Sequence, residues 1–316
     1  MLWVVVAALL FDAMIGDPDW LWRRLPHPVT LIGEMIAMLD RSLNRETWSA
    51  AAQCLAGILA LIGLVIVAAA TGLVLEWVFG HGQVATLAKG LIASTLIAQR
   101  SLYQHVARVR DAFARDIDAA RRAVSMIVGR DPDRLDEPAV CRAAIESCAE
   151  NSSDGIVAPV FWLALLGLPG LIVYKAINTA DSMIGHRNAR YENFGWAAAR
   201  LDDLVNFIPA RLSGMLIAIA APITGGSIST SIRIMWRDAR NHPSPNAGWP
   251  ESAMAAALGL GLAGPRRYGD RVVDDAFLYA EGRMAARPDD IGRALKIFAA
   301  ICAMQTCAYA ALAMIF

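Results

Sequence analysis

Glu146, Glu150 and Asp154 recur every four residues in the stretch ESCAENSSDG, so a helix through them carries three carboxylates on one face with Asn151 alongside. Like charges at that spacing repel by roughly a few tenths of a kcal/mol per pair. A hard divalent cation such as Mg²⁺ would answer that repulsion through oxygen ligands and bring a nucleotide phosphate with it. A solvated acidic face paired with arginines would use the same residues. The chemical reading is favoured by the neighbouring sequence, because Gly155 opens a charge-free, lipid-like run, and acids beside such sequence tend to be functional.

A second group lies in NTADSMIGHRNARYENFGWAAARLDD, residues 178 to 203. Asn178, Asp181 and Ser182 close an apolar stretch; His186, Arg187, Asn188 and Arg190 come next, then Asp202 and Asp203. Cations beside carboxylates suit a polyanion carried with a metal. The same residue types are ordinary helix caps and turn formers, and both readings stand. His186 could serve as base, phosphate donor or structural hydrogen bonder. A third group, RDARNHPSPNAGWPE from Arg237 to Glu251, has three prolines within eight positions. Asp238, Arg240, Asn241, Ser244 and Asn246 on such a loop suit ligand contact. A fourth, GDPDWLWRRLPHPV from Gly16 to Val29, offers Asp17 and His27, with Trp20 and Trp22 as interfacial anchors. No GxxxxGK[ST] run is present, so a nucleotide would need a scaffold other than a P-loop.

The elements that must position these groups are membrane elements. Of 316 residues, 56% are hydrophobic and 18% charged, with mean hydropathy +0.43. Charge-free runs cover Thr47 to Leu75, Gly155 to Tyr174, Leu212 to Ile232 and Ile297 to Phe316. Each is long enough to cross a hydrocarbon core as a helix. Met1 to Phe11 lacks the basic start and cleavage pattern of a secretory signal and reads as a retained helix. Five scattered cysteines without a CxxC pair argue against a disulfide framework or zinc site, and a net charge of +0 excludes a generally basic nucleic-acid binder.

Ala51 to Phe79 reads as a spanning helix, joined by Gly80-His81-Gly82 to a shorter one, Gln83 to Ala98, whose Lys89 would snorkel to the interface. Residues 100 to 150 read as a cytoplasmic amphipathic segment, with apolar positions from Leu102 to Ile127 at three- and four-residue steps, Gly129 as its stop and Pro138 opening the next helix. Nine arginines between Arg100 and Arg142 favour the cytoplasm. Gly167, Pro169 and Gly170 interrupt the run from Gly155 to Tyr174, which suggests two half-helices that dip in and return, keeping Asp154 and Asp181 on one side. Pro209 to Ile223 crosses or dips again, and Gly259 and Gly261 read as helix-packing glycines. The expected fold is all-α: a polytopic integral membrane protein with about 5 to 7 inserted helices, some re-entrant. Amphipathic helices and Arg-rich loops lie on the cytoplasmic face, and residues 1–316 form a single membrane-embedded catalytic domain.

These motifs, in order and spacing, resemble the adenosylcobinamide-phosphate synthases of cobalamin biosynthesis. The resemblance runs through GDP and LPHPV at 16–29, IVGRD at 127–131, ESCAENSSDG at 146–155, AP at 158–159, the 178–203 stretch, IPARL at 208–212, and RDAR with SPNAGWPE at 237–251. It implies an inner-membrane acid-amine ligase that joins the f-propionate carboxyl of the corrinoid cobyric acid to (R)-1-amino-2-propanol or its O-phosphate, using ATP and Mg²⁺. It leaves open whether the protein works alone, as a homo-oligomer or with other pathway enzymes. For such a reaction Glu146, Glu150, Asp154 and Asp181 are the catalytic candidates, and Glu150, Asp154, Asp181, Asp202 and Asp203 the metal candidates. His27, Asn151, Asn178, Ser182, His186, Arg187, Asn188, Arg190, Asp238, Arg240, Asn241, Ser244 and Asn246 would contact phosphates or substrate. Two rival classes use similar residues. A membrane phosphotransferase would need a DGxxAR run where Ile156 to Pro159 stands, and a transporter would place its acids inside the apolar runs and not at their ends.

Overall fold

The computed structural model describes residues 1–128, 135–186, 188–268, 271–273 and 275–316, without the side chains of 19, 266–268 and 271–273. The helices, in order, are α1 (Leu2–Met14), α2 (Asp19–Trp22), α3 (Pro28–Leu43), α4 (Ala50–Phe79), α5 (Gln83–Ser94), α6 (Gln99–Ala112) and α7 (Ile117–Val124). Next come α8 (Glu137–Ser152), α9 (Ala158–Ile184), α10 (Trp196–Val205), α11 (Phe207–Ala220), α12 (Ile228–Asp238), α13 (Gly248–Leu258) and α14 (Pro288–Ile315). Two antiparallel ribbons, Leu262–Ala263 with Phe277–Leu278 and Arg266–Tyr268 with Arg271–Val273, are the described sheet. The protein is an all-α membrane protein, with Ala50–Phe79, Glu137–Ile184, Phe207–Thr224 and Pro288–Ile315 long and apolar enough to cross a bilayer. The chain forms two compact units, one of residues 1–98, 158–206 and 309–316, the other of 99–157 and 207–308.

The first unit is organised on α4. Its buried positions, Gln53, Ala56, Gly57, Ala60, Leu64, Ala68 and Gly72, recur every three or four residues and are mostly small, while Leu55, Leu59, Ile62, Ile66 and Leu73 point outward. Small residues let helices approach closely where lipid supplies no hydrophobic drive between them. A Cβ on Gly57 would lie 1.9 Å from Phe194 O, and one on Gly72 2.4 Å from Pro169 Cα.

The partner of α4 is α9, and α9 is not straight. Gly167 has φ 70° and ψ −156°, a conformation essentially reserved for glycine. A Cβ on Gly170 would lie 2.5 Å from Trp162 O, whereas eight residues of continuous helix rise about 12 Å. The chain therefore folds back at Gly167, and α9 is a hairpin with arms 158–166 and 168–184. The expected re-entrant pair is present, and the 48-residue apolar stretch containing it is not one transverse span. Glu76, near the end of α4, caps the returning arm by accepting from Leu168 N at 3.2 Å.

Lys89 of α5 bonds the other oxygen of Glu76 and donates to Gly80 O at 2.8 Å, closing the α4–α5 hairpin. It is buried, 7% exposed, and does not snorkel as the sequence suggested. An ion-pair partner thirteen residues back is a better solvation than a stretched side chain. At the opposite end of α4, Asn193 donates to Gln53 Oε1 at 3.1 Å. Segment 188–195 therefore lies at the end where α4 starts, and the hairpin apex at the end where it finishes.

In the second unit, α8 is buried over most of its surface, from Val140 to Ser152. It runs into a π-helical turn, Ser153–Val157, that packs on α11, and Ser152 and Ser213 share a hydrogen bond at 3.3 Å. The amphipathic segment is two helices, α6 and α7, and not the one its periodicity suggests. Asp116 accepts from Ala119 N at 2.6 Å and starts α7 afresh without disturbing the apolar phase. Gly129, the expected stop, lies outside the described residues. Gly259 is the left-handed C-cap of α13 (φ 72°), so it ends a helix and is not a packing glycine. Arg293, in the first turns of α14, donates to Leu258 O and Thr224 O, satisfying carbonyls at two helix ends.

Candidate functional site

The returning arm of α9 ends with Asn178, Asp181 and Ser182 on one face, and α10 brings Asp202 and Asp203 to it. Asp202 is 8% exposed. Its Oδ1 accepts from Asn178 Nδ2 at 3.3 Å and its Oδ2 from Asn206 Nδ2 at 2.9 Å, while Asn206 Oδ1 accepts from Tyr174 OH at 2.9 Å. Tyr174 and Asn178 stand one turn apart on α9, and Asp202 and Asn206 one turn apart in sequence across the end of α10. The sequence therefore builds a two-by-two polar ladder between apolar helices. Burial, reinforced by the Asp181 charge, pushes the Asp202 carboxyl up to about 7 against the amide bonds that favour its ionised form. Asp203 adds a third carboxylate, paired with Arg200 at 3.0 Å. Room for the Asp181 carboxylate comes from Gly185: a Cβ there would lie 1.9 Å from Asp181 Oδ1.

Such a group can take a proton near neutrality or welcome a cation. Among the described residues no three His, Cys, Asp or Glu side chains stand together as a ready-made metal cage. Mg²⁺ does not require one, since it is commonly held by one or two carboxylates plus substrate phosphates and water. Asp181 and Asp202 fit that donor set. The five metal candidates are divided: Asp181, Asp202 and Asp203 belong to the first unit, Glu150 and Asp154 to the second.

Beyond α9 the chain turns through 188–195. Asn188 Oδ1 accepts from Arg190 N at 3.1 Å and Tyr191 N at 3.0 Å. Arg190 Nη2 donates to Asp40 Oδ2 at 2.8 Å, and this partner raises the guanidinium above its usual pKa. Ser182 bonds back to Asn178 O at 2.9 Å, and Ser182, His186, Asn188 and Arg190 are exposed. Arg187 lies outside the described residues. His27 caps α3: its Nδ1 accepts from Val29 N and its Nε2 meets Asp17 Oδ1, both at 3.2 Å, with Trp22 edge-on at 4.5 Å. Both ring nitrogens are thus engaged within the loop.

The second unit uses several of its candidates structurally. Glu146, 6% exposed, accepts from Ala263 N at 2.9 Å and so anchors the first ribbon. The π turn takes Asp154 off the four-residue phase that would align it with Glu146 and Glu150; Glu150 is exposed and Asp154 half-buried. Asn151 donates to Ser147 O at 2.9 Å.

Asp238 is buried, held by the Arg237 fork at 2.6 and 2.9 Å and by Tyr279 N at 2.8 Å. Arg237 also grips Glu281, whose carboxyl it lowers to about 2. The proline-rich loop ties itself together. Ser244 N donates to His242 Nδ1 at 3.0 Å, Asn246 N and Ala247 N donate to Ser244 Oγ at 3.2 Å, and Asn246 is buried. Of the loop candidates, Arg240 and Asn241 are exposed and accessible. Asp40, Asn44, Tyr174 and Asn206 escaped the sequence reading: they are isolated polar residues whose partners are distant in the chain.

The fold and this polar end define the class, an all-α membrane protein with a polar ladder around a buried carboxylate at one end of a re-entrant hairpin. Its sequence places it further. The family model described as CobD/Cbib protein matches residues 5–298, and the chain belongs to that family. It is 50% identical over 315 residues to the cobalamin biosynthesis protein CobD of Rhizobium meliloti (strain 1021), covering 98% of this chain and 96% of the relative. The protein of the same name from Brucella suis biovar 1 is 49% identical, over 96% of this chain and 94% of its own length. That from Rhodobacter capsulatus is 48% identical, over 93% and 92%. No solved structure matches the chain.

Proposed function

We propose that this protein acts in cobalamin biosynthesis as an ATP-dependent acid-amine ligase of the inner membrane, joining the f-propionate carboxyl of cobyric acid to (R)-1-amino-2-propanol or its O-phosphate. Family membership supplies the pathway. The observation that carries the reaction class is buried Asp202 with half-buried Asp181 beside it, an arrangement that favours a cation or a proton and lies beside an arginine-bearing loop.

Amide formation from a carboxylate proceeds through an activated acyl group. The carboxylate oxygen attacks the γ-phosphorus of ATP, releasing ADP and giving an acyl phosphate. The amine nitrogen then attacks the carbonyl, phosphate leaves, and the nitrogen loses a proton. Bound Mg²⁺ would supply charge neutralisation for the phosphates. Asp181 and Asp202, with Asp203 beside them, would hold it. The departing phosphate can take the proton that the amine loses, since a carboxylate holding the cation is no longer poised near neutrality. Exposed Arg190, in the same unit as these carboxylates, offers a cation to phosphates, and the clustering of arginines between Arg100 and Arg142 favours a cytoplasmic location for that segment. The test is turnover by the purified protein with its Asp181→Asn variant. Amide product that disappears in the variant, with folding intact, supports the reading, and full activity in the variant removes Asp181 from it.

A further inference from the structure

We propose that Asp40 and Asn44 position Arg190 as the seat of the phosphate monoester on the amine substrate, an inference that rests on the ligase reading above. Asp40 on α3 and Asn44, its C-cap, stand one turn apart, and both reach the same residue 150 and 146 positions away. Asp40 Oδ2 accepts from Arg190 Nη2 at 2.8 Å and from Tyr191 OH at 3.4 Å. Asn44 Nδ2 donates to Arg190 O at 3.1 Å and to Asp40 Oδ1 at 2.9 Å. With Arg190 N donating to Asn188 Oδ1, the arginine is held at its amide, its carbonyl and one terminal nitrogen.

The asymmetry of exposure gives this clamp its meaning. The Asp40 side chain is 10% exposed and that of Arg190 48%. A buried carboxylate thus fixes an arginine that is itself about half exposed, with its guanidinium carbon 5.5 Å from the Tyr191 ring. A guanidinium has five N–H donors in a rigid fork, and the hydrogen bond to Asp40 uses one nitrogen, so the rest of the fork can take two phosphate oxygens. A free surface arginine would have to be ordered on binding, whereas this one is ordered beforehand.

The test is calorimetric titration of full-length protein in nanodiscs with (R)-1-amino-2-propanol O-phosphate and, separately, with the unphosphorylated amine. Wild type is expected to prefer the phosphorylated amine. Asp40→Asn and Asn44→Ala are each expected to weaken that ligand about tenfold, the equivalent of one charge-assisted contact. Binding of the plain amine should stay within about twofold, and Asp40→Glu should restore part of the preference. Equal losses for both amines, with a lowered Tm, would show a structural stitch and overturn the proposal. Tighter phosphate binding in Asp40→Asn would also overturn it, because the carboxylate would then be a competitor of the phosphate. No preference in wild type would do the same. Preference for the phosphorylated amine in a protein that makes no amide would leave the inference standing and remove the ligase reading instead.

Discussion

Raising the pH should unload the proton that the folded protein holds on Asp202 and weaken the fold as it does so. The Asp202 carboxyl is moved from an ordinary 3.8 to about 7, chiefly by burial and secondarily by the Asp181 charge. Because the folded state binds this proton more tightly than the unfolded chain does, the group's contribution is fully present below about pH 4. It is lost as pH rises from about 4 to about 7 and is level above that. At about 1.4 kcal/mol per pH unit, the full effect is on the order of 4 kcal/mol. Asp202→Asn cannot titrate and should show a flatter profile over the same interval. A cation bound by Asp181 and Asp202 would offset the loss, so at pH 8 Mg²⁺ at a hundredfold excess over its dissociation constant should return about 2.7 kcal/mol. The assay is Tm of the detergent-solubilised protein by intrinsic tryptophan fluorescence at pH 4.5, 6 and 7.5, then at pH 8 with and without Mg²⁺. Parallel profiles for wild type and Asp202→Asn would refute the reasoning about burial. A Tm at pH 8 indifferent to Mg²⁺ would refute the cation assignment.

Other perturbations address the scaffold. Lys89→Met leaves Glu76 charged without its partner and should destabilise by roughly 3 to 5 kcal/mol, while Glu76→Gln with Lys89→Met should recover much of it; denaturant midpoints of the three forms check the coupling. Gly72→Leu drives a side chain into the Pro169 backbone and should cost about 3 kcal/mol or prevent folding, seen as lost monodisperse protein. Glu146→Ala strands Ala263 N–H and should lower stability by about 1 to 3 kcal/mol, with activity falling in proportion to folded protein. Asp181→Asn should instead remove activity while leaving Tm within a few degrees. Equal stability losses in both would erase the distinction between anchor and site.

Much of this architecture is legible in the sequence because it is periodic or punctuated. The apolar run of α4, the Gly80–Gly82 link and the Gly167–Pro169–Gly170 break each announce an element or a reversal in consecutive residues. What stays hidden depends on partners far apart in the chain. Lys89 reads as a snorkelling cation until the fold supplies Glu76. Asp40 is one acid on an amphipathic helix until Arg190 arrives. The α6–α7 break is invisible to periodicity because Asp116 restarts the helix in phase. In the candidate sites, spacing identified Asp181, Asp202 and Asn178 as neighbours. It could not show that Glu146 accepts from Ala263 N, 117 positions away, and so anchors a ribbon. It also offered Asp238 and Asn246 for ligand contact without showing that both are buried, Asp238 held by Arg237 and by the distant Tyr279 N.

The central claim is tested most directly by incubating purified protein in detergent with cobyric acid, aminopropanol phosphate, Mg²⁺ and ATP, tracking corrinoid product by mass and nucleotide hydrolysis in parallel. An amide product that appears with ADP in equal amount, and only when ATP is present, is the predicted result. Corrinoid bound by folded protein with neither amide nor ADP formed would contradict it.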